Sequence, residues 1–195
     1  MKSKRLREQG FFNLHRKLIF RLFAIVLAAY YFYVPNLWPI ADIIVFWSQI
    51  TGVLFIFAGI IGRTFSALTI GGFKDRIIVK TELYSVCRNP LYFASFLMAL
   101  GVGLLSGRAD FAILLIILFM TLFYQMMLNE ADVLRDKFED FAAYEKRVPL
   151  FFPNVFLWQG RKEFEINFER VRRTLLDSSV ILIILPIFII LRMLL

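Results

Sequence analysis

The chain of 195 residues has one cysteine, Cys87, and one histidine, His15. With so few nitrogen and sulfur donors the usual ligand sets of a protein metal site are missing, and no metal is expected. No G-x-G-x-x-G follows a strand-like run, and no Gly-rich loop leads into Lys-Ser or Lys-Thr, so the phosphate- and dinucleotide-binding fingerprints are absent. No small-residue cleavage site follows the first apolar run. That run contains Tyr30-Tyr31-Phe32-Tyr33, which reads as an interfacial aromatic belt rather than part of a signal peptide. The net charge is +8, but nothing beyond charge points to nucleic acid.

What is abundant is apolar surface. Hydrophobic residues make up 59% of the chain and aromatics 17%, with a mean hydropathy of +0.70, beyond what a soluble domain of this size carries. A hydrocarbon core about 30 Å thick needs about 20 helical residues. Five runs approach that length: Leu18–Val34, Ile40–Gly62, Leu91–Ser106, Phe111–Leu128 and Leu175–Leu195. Each is apolar all round rather than striped, so the expected fold class is all-α, a polytopic integral membrane bundle of about five transmembrane helices with interfacial helices beside it.

Charge sets the expected orientation. Of 23 Lys and Arg, six lie in residues 1–17, five in Arg63–Arg88 and nine in Arg135–Arg173, with only Arg21, Arg108 and Arg192 elsewhere. The positive-inside rule puts the three rich segments on the cytoplasmic side of an inner membrane. The connectors Pro35–Pro39 and Gly107–Asp110 then lie outside, giving an N-in, C-out chain. Residues 1–17 form a basic arm with Phe11, Phe12 and Leu14 interleaved, which would lie on anionic lipid or serve only as an orientation signal.

Within this frame, Gly52, Gly59 and Gly62 read as close-packing positions in the second span. Gly71-Gly72 marks a cytoplasmic loop over Thr64–Lys80. Asn89-Pro90 is a helix start, with Asn89 capping free amides and Pro90 at the first helical position. The third and fourth spans form a hairpin through the turn at Ser106–Asp110, which brings Arg88–Tyr92 near Asn129-Glu130. Glu130, a carboxylate at the lipid boundary, is either functional or paired with Arg88 or Arg135. Leu134, Phe138, Phe141 and Tyr144 make one apolar stripe on a charged helix over Ala131–Arg147, followed by the aromatic segment Phe151-Phe152-Pro153. Cys87 is either a thiol activated by Arg88 or a small apolar filler.

The order Tyr84-x3-Arg88-Asn89-Pro90-x-Tyr92, two spans, Glu130, then Phe138-x5-Tyr144-x2-Arg147-Val148-Pro149-x3-Pro153 resembles the membrane methyltransferase superfamily of isoprenylcysteine carboxyl methyltransferases and phospholipid N-methyltransferases. The resemblance covers about residues 77–153. It implies S-adenosylmethionine as cofactor, in a cytoplasmic pocket lined by Ile78, Val79, Tyr84, Arg88, Asn89 and Pro90, with Tyr92 supporting it and Glu130 as its acid. Arg88 at a helix N-terminus suits the methionine carboxylate, and Glu130 suits a sulfonium or ribose hydroxyls. Arg88 and Glu130 are also the candidates for catalysis, Glu130 as general base where the cofactor leaves it free. The chain then divides into the arm 1–17, two spans in 18–62, a methyltransferase-like core in 63–153, and an interfacial segment with a last span in 154–195.

This chain departs from the family pattern at several positions. Asn89 stands where histidine is common, Asn129 replaces one acid of a pair, Glu82 stands at a usual glycine, and the glycine expected after Phe138 is missing. Met126 occupies the place where isoprenylcysteine enzymes hold their substrate carboxylate with arginine. The expected function is methylation of a lipid or lipidated small substrate, a membrane lipid amine or another amphipathic acceptor, by in-line displacement. The alternatives are a non-catalytic membrane scaffold that keeps the fold, and a related membrane reductase.

Overall fold

The structure, a computed structural model, describes residues 18, 21–70, 77–161 and 168–180, and all regular structure among them is helical. The elements are α1 (Arg21–Tyr33), α2 (Asp42–Ile70), α3 (Leu83–Val86), α4 (Pro90–Leu105), α5 (Ala109–Lys137), α6 (Phe141–Arg147), a 3₁₀ turn at Val155–Leu157, and α7 over residues 168–180. The basic arm 1–17 lies outside the described residues, and the run Leu175–Leu195 lies within them only as far as residue 180.

Two helices, α2 and α5, are long and apolar enough to cross a membrane, and α1 and α4 are shorter apolar helices. At 29 residues each, α2 and α5 are about 43 Å long at 1.5 Å per residue, well beyond the roughly 30 Å of hydrocarbon. Both are therefore longer than one perpendicular crossing requires. Their surfaces carry exposed Leu54, Ile61, Ile113 and Ile117, which suits lipid as the solvent rather than water.

Both helices are longer than the sequence pattern indicates. The loop expected from Thr64 is helical as far as Ile70. The hydroxyls of Thr64, Ser66 and Thr69 donate to the carbonyls of Ile60, Gly62 and Phe65 one turn back at 2.7–2.8 Å, so these polar side chains are satisfied without leaving the helix. The single helix expected over Ala131–Arg147 is also corrected. The apolar helix α5 runs on through it to Lys137, Phe138 turns extended, and α6 begins anew at Phe141. The apolar stripe nonetheless gathers: Ala131, Phe141, Tyr144 and Val148 form a buried cluster with Leu134, Phe138 and Ile78 against it.

Helices α2 and α4 pack antiparallel with almost no space between them. A Cβ on Gly52 would lie 2.7 Å from the Gly101 carbonyl oxygen, and one on Gly101 would lie 2.5 Å from the Gly52 oxygen. Glycine is the residue that permits this approach. At the same end, the Arg108 guanidinium donates to the carbonyls of Tyr31, Val34 and Pro35 at 2.8–3.1 Å and pairs with Asp110 at 2.6 Å. Asp110 also accepts from the Tyr30 hydroxyl at 2.9 Å. The connector after α1 and the turn before α5 are thereby tied together, and the opposite end of the bundle is where α2, α4 and α5 build a cavity.

Candidate functional site

The chain from the end of α3 at Val86 enters α4 through Cys87–Asn89 without regular structure, so the backbone groups around this break need partners elsewhere. They find them in the segment after α6. The Arg88 amide donates to the Pro149 carbonyl at 2.9 Å, and the Asn154 amide donates to the Val86 carbonyl at 2.9 Å. The Asn89 side-chain nitrogen donates to the Leu150 carbonyl at 3.0 Å. Asn89 thus occupies the N-cap position of α4 with Pro90 after it, but its side chain makes no cap bond, and the capping role expected of it is replaced by a tie to Leu150. The Tyr144 hydroxyl donates to the Tyr84 carbonyl at 2.7 Å. These bonds account for the spacing of the two motif halves: Tyr144 and Val148–Pro153 support Tyr84–Pro90.

Cys87 is fully buried, and its thiol donates to the Phe151 carbonyl at 2.9 Å. Burial pushes the thiol up to about 12, against smaller opposing contributions from the Asn89 backbone and the Arg88 charge. Of the two readings of Cys87, the filler is the one its surroundings favour. At pH 8 the thiolate fraction is about one in ten thousand. Iodoacetamide should therefore leave Cys87 unmodified in the folded, detergent-solubilised protein and label it after denaturation, as read by intact mass. Rapid labelling of the folded protein would contradict this burial.

Glu82 has φ 55°, the one non-glycine residue with positive φ among the described residues. A side chain there costs on the order of 1 kcal/mol or more. The carboxylate has its own compensation. It is 3% exposed and accepts from the Arg161 amide, while the Glu82 amide donates to the Gln159 carbonyl at 2.7 Å. The Ser85 hydroxyl adds a bond from the Gln159 amide at 2.9 Å. The glycine that Glu82 replaces is thus explained by backbone geometry, and the acid in its place fastens α3 to residues 159–161.

All eight residues singled out in the sequence line one cavity of about 530 Å³. Ile78, Val79 and Tyr84 come from the approach to α4, and Arg88, Asn89, Pro90 and Tyr92 from its start. Glu130 comes from α5. The hairpin geometry that brings Arg88–Tyr92 toward Glu130 is present as expected. The volume is that of a small-molecule site, typically about 300–1,000 Å³. A smaller hollow of about 330 Å³ shares Ile77, Ile78 and Phe138 with it, so these three side chains form a dividing wall.

Electrostatically, the cavity wall carries Arg88, just ahead of α4, and Glu130 of α5. Burial, and then the Glu130 charge, push the Tyr84 hydroxyl above its ordinary value. Tyr84 is therefore a neutral hydrogen-bonding group at physiological pH. Arg88 Nη1 pairs with Glu145 on α6 at 2.8 Å. Arg135 grips the same carboxylate through Nη2, 2.8 and 2.9 Å from its two oxygens. Burial acts to raise the Glu145 carboxyl, but the hydrogen bonds from Arg135 and Arg88 outweigh it and hold the group below its ordinary range. The acid that Arg88 and Arg135 share is Glu145, which sequence reasoning missed. It sits beside the apolar stripe in sequence and carries no signal that distinguishes it from a solvated charge.

Arg88 Nε is buried with no hydrogen-bond partner among the described residues. A buried unmatched N–H costs on the order of 1–3 kcal/mol, and this one belongs to a residue on the cavity wall. Sequence reasoning also missed Arg170, Arg173 and Thr174 of α7, which line the cavity from a segment beyond the resemblance. Their only sequence signal is that Arg170 and Arg173 belong to the basic segment Arg135–Arg173, which was counted there toward the orientation of the chain. Among the described residues no group of three or more His, Cys, Asp or Glu side chains is placed to hold a metal ion.

Comparison with known proteins adds three findings. A family model described as phospholipid methyltransferase matches residues 40–140. Cobalt-zinc-cadmium resistance protein CzcN of Cupriavidus metallidurans is 31% identical over 127 residues, 65% of this chain and 59% of its own length. Nickel-cobalt-cadmium resistance protein NccN of Alcaligenes xylosoxydans xylosoxydans is 31% identical over 127 residues, 65% of this chain and 60% of its own. The chain thus matches about three fifths of the length of these relatives. No solved structure matches it.

Proposed function

We propose that this chain, which belongs to the phospholipid methyltransferase family, is a membrane methyltransferase that uses S-adenosylmethionine to methylate a lipid or lipidated small substrate at the cytoplasmic face. The observation that carries the reading is the single cavity that Arg88 and Glu130 line together with Ile78, Val79, Tyr84, Asn89, Pro90 and Tyr92. The orientation rests on the basic segments that surround this end of the bundle.

The residues present fit the cofactor. The Arg88 guanidinium on the cavity wall would pair with its carboxylate. Glu130 would place a negative charge where a sulfonium or ribose hydroxyls need one. Ile78, Val79, Leu134 and Phe138 supply apolar walls that exclude water, which strengthens both polar contacts. When bound, S-adenosylmethionine supplies a methyl group activated by the positive sulfonium beside it. Tyr84, held neutral by burial, would orient an acceptor through its hydroxyl rather than remove a proton. Glu130 lines the same cavity and is the acid assigned to that task.

Calorimetric titration of S-adenosylmethionine into the detergent-solubilised protein tests this. Wild type should bind in the micromolar to millimolar range. Arg88→Ala and Glu130→Ala should each weaken binding by about tenfold or more, the value of a charged hydrogen bond. A folded wild type with no binding at millimolar cofactor would favour the non-catalytic scaffold.

A further inference from the structure

Residues 148–160 carry no charge, between Lys146-Arg147 on one side and Arg161-Lys162 on the other. This run leaves α6 and turns back along α4. The Phe151 ring lies edge-on to Phe93 and Phe96, 5.7 and 5.6 Å away, and Phe152 meets Phe93 at 6.4 Å. Depth follows from α5, whose uncharged stretch runs between Asp110 and Glu130. At about 1.5 Å per residue these two acids stand about 30 Å apart, one hydrocarbon thickness. Phe119 and Phe123 of α5, about 17 and 11 Å short of Glu130 on the same rise, contact Phe96 and Tyr92 of α4. Phe151 and Phe152, beside Phe93 and Phe96, therefore lie within the depth of the apolar layer.

Backbone at that depth must find its partners in protein, since lipid offers none. The run follows this rule. Pro149 and Pro153 bring no N–H. The amide of Asn154 donates to the Val86 carbonyl, those of Leu157 and Trp158 to the carbonyls of Asn154 and Val155 at 3.1 and 3.2 Å, and that of Phe156 to the Asn154 side chain at 3.2 Å. The carbonyls of Pro149, Leu150 and Phe151 accept from Arg88, Asn89 and Cys87. The polar groups of the run are thus turned toward the protein.

What the run leaves uncovered is apolar. Phe156 is 94% exposed, Val155 68%, Phe152 64% and Trp158 51%. In water such a patch marks an interaction surface. Depth and charge select its occupant. The rings continue the partly exposed Phe93 and Phe96 of α4, tryptophan is favoured where acyl chains meet headgroups, and the basic residues that bracket the run suit anionic headgroups. Resting on α2 and α5 as crossing helices, we infer that residues 152–158 form a lipid-insertion surface in the leaflet on the cavity side. Acyl chains are the partner of Phe152, Val155 and Phe156, and the headgroup boundary is that of Trp158. The bilayer thereby covers the outer side of the segment whose carbonyls hold Arg88 and Asn89 at the cavity wall.

The test reads tryptophan emission from the full chain in nanodiscs of phosphatidylcholine and phosphatidylglycerol, with and without bromine on the acyl chains. Trp38→Phe/Trp47→Phe leaves Trp158 as the reporter, and Phe156→Trp with all three native tryptophans changed to Phe gives a second. Each reporter should lose at least about half of its emission in brominated lipid, the mark of a ring at the acyl boundary, and should resist aqueous acrylamide. Quenching by acrylamide and not by brominated lipid would place the run in water and overturn the surface. Protection from both quenchers would mean that a second copy or another protein covers it, which equally overturns it. Trp38→Phe/Trp158→Phe keeps Trp47 of α2, which is 60% exposed, as a control. Failure of brominated lipid to quench Trp47 would overturn α2 as a crossing helix, while the two reporters still decide the lipid contact of residues 152–158. Neither result depends on cofactor binding, so the methyltransferase reading stands or falls separately.

Discussion

Glu145→Ala is expected to destabilise the protein by about 2 kcal/mol at neutral pH and to weaken S-adenosylmethionine binding, although Glu145 does not line the cavity. Its carboxylate joins Arg88 of the α4 start to Arg135 of α5. The Arg88 side chain is only 13% exposed. Removing one member of a buried pair costs about 3–5 kcal/mol, because the remaining charge is left without compensation. The Glu145 and Arg135 side chains are 26% and 47% exposed, so solvent screening brings the expected figure down to the lower value. Without Glu145, Arg88 would turn toward Glu130, the acid on the facing wall, and occupy space proposed for the cofactor.

Acid titration gives this prediction a second readout. The folded Glu145 carboxyl is held below its unfolded value of about 4.3. A depressed pKa contributes stability that is present above the unfolded value and lost as the pH falls through the folded one. Thermal midpoints of wild type and Glu145→Ala should therefore be separated at pH 7 and converge below about pH 4. A separation that persists unchanged into acid would show that the variant acts through packing of α6 rather than through the charge.

That Arg88, Asn89, Pro90 and Tyr92 come near Glu130 could be read from local rules, whereas Ile78, Val79 and Tyr84 rested on the family resemblance. An Asn-Pro helix start, a short hairpin and an acid at the end of an apolar run together specify which helix ends meet. The apolar helices α1, α2, α4 and α5 were legible from apolar length, but their ends were not. Thr64, Ser66 and Thr69 look like a loop until their hydroxyls are seen bonded to the preceding turn. The break at Phe138 has no proline or glycine to announce it. Glu145 is one position from Tyr144 on a seven-residue helix, and only the packing of that helix against α5 turns it toward two arginines. Arg170 and Arg173 depend on α7 returning across the bundle to meet Arg63. That contact spans 115 positions, and no periodicity in the chain encodes it. Glu82 was legible as a departure from the family's glycine, whereas its positive φ and its bond to the Arg161 amide explain how the departure is tolerated.

The glycines of the α2–α4 contact carry the second large effect, and a graded alanine series should separate stability from binding. At Gly101 the added Cβ would lie 2.5 Å from the Gly52 oxygen and 2.7 Å from Ile56 Cγ1, and at Gly59 it would lie 2.6 Å from the Ala94 oxygen. Backbone oxygens cannot rotate away, so the helices must separate, and overpacking of this kind costs about 1–3 kcal/mol. Gly62→Ala meets only the Ala94 methyl at 3.1 Å and should change the thermal midpoint least. Gly59 lies eight residues before Ala67 on the cavity wall, about 12 Å along the helix, whereas Gly52, the partner of Gly101, lies about 22 Å away. Separation at Gly59 moves the start of α4, with Arg88 and Pro90, away from the end of α2. Gly59→Ala should therefore lose both stability and cofactor affinity, and Gly101→Ala mainly stability. Thermal midpoints and S-adenosylhomocysteine titrations on the same preparations check the order. Equal loss of affinity in both variants would mean that the bundle shifts as one body, and that the site depends on overall helix spacing rather than on the nearest contact.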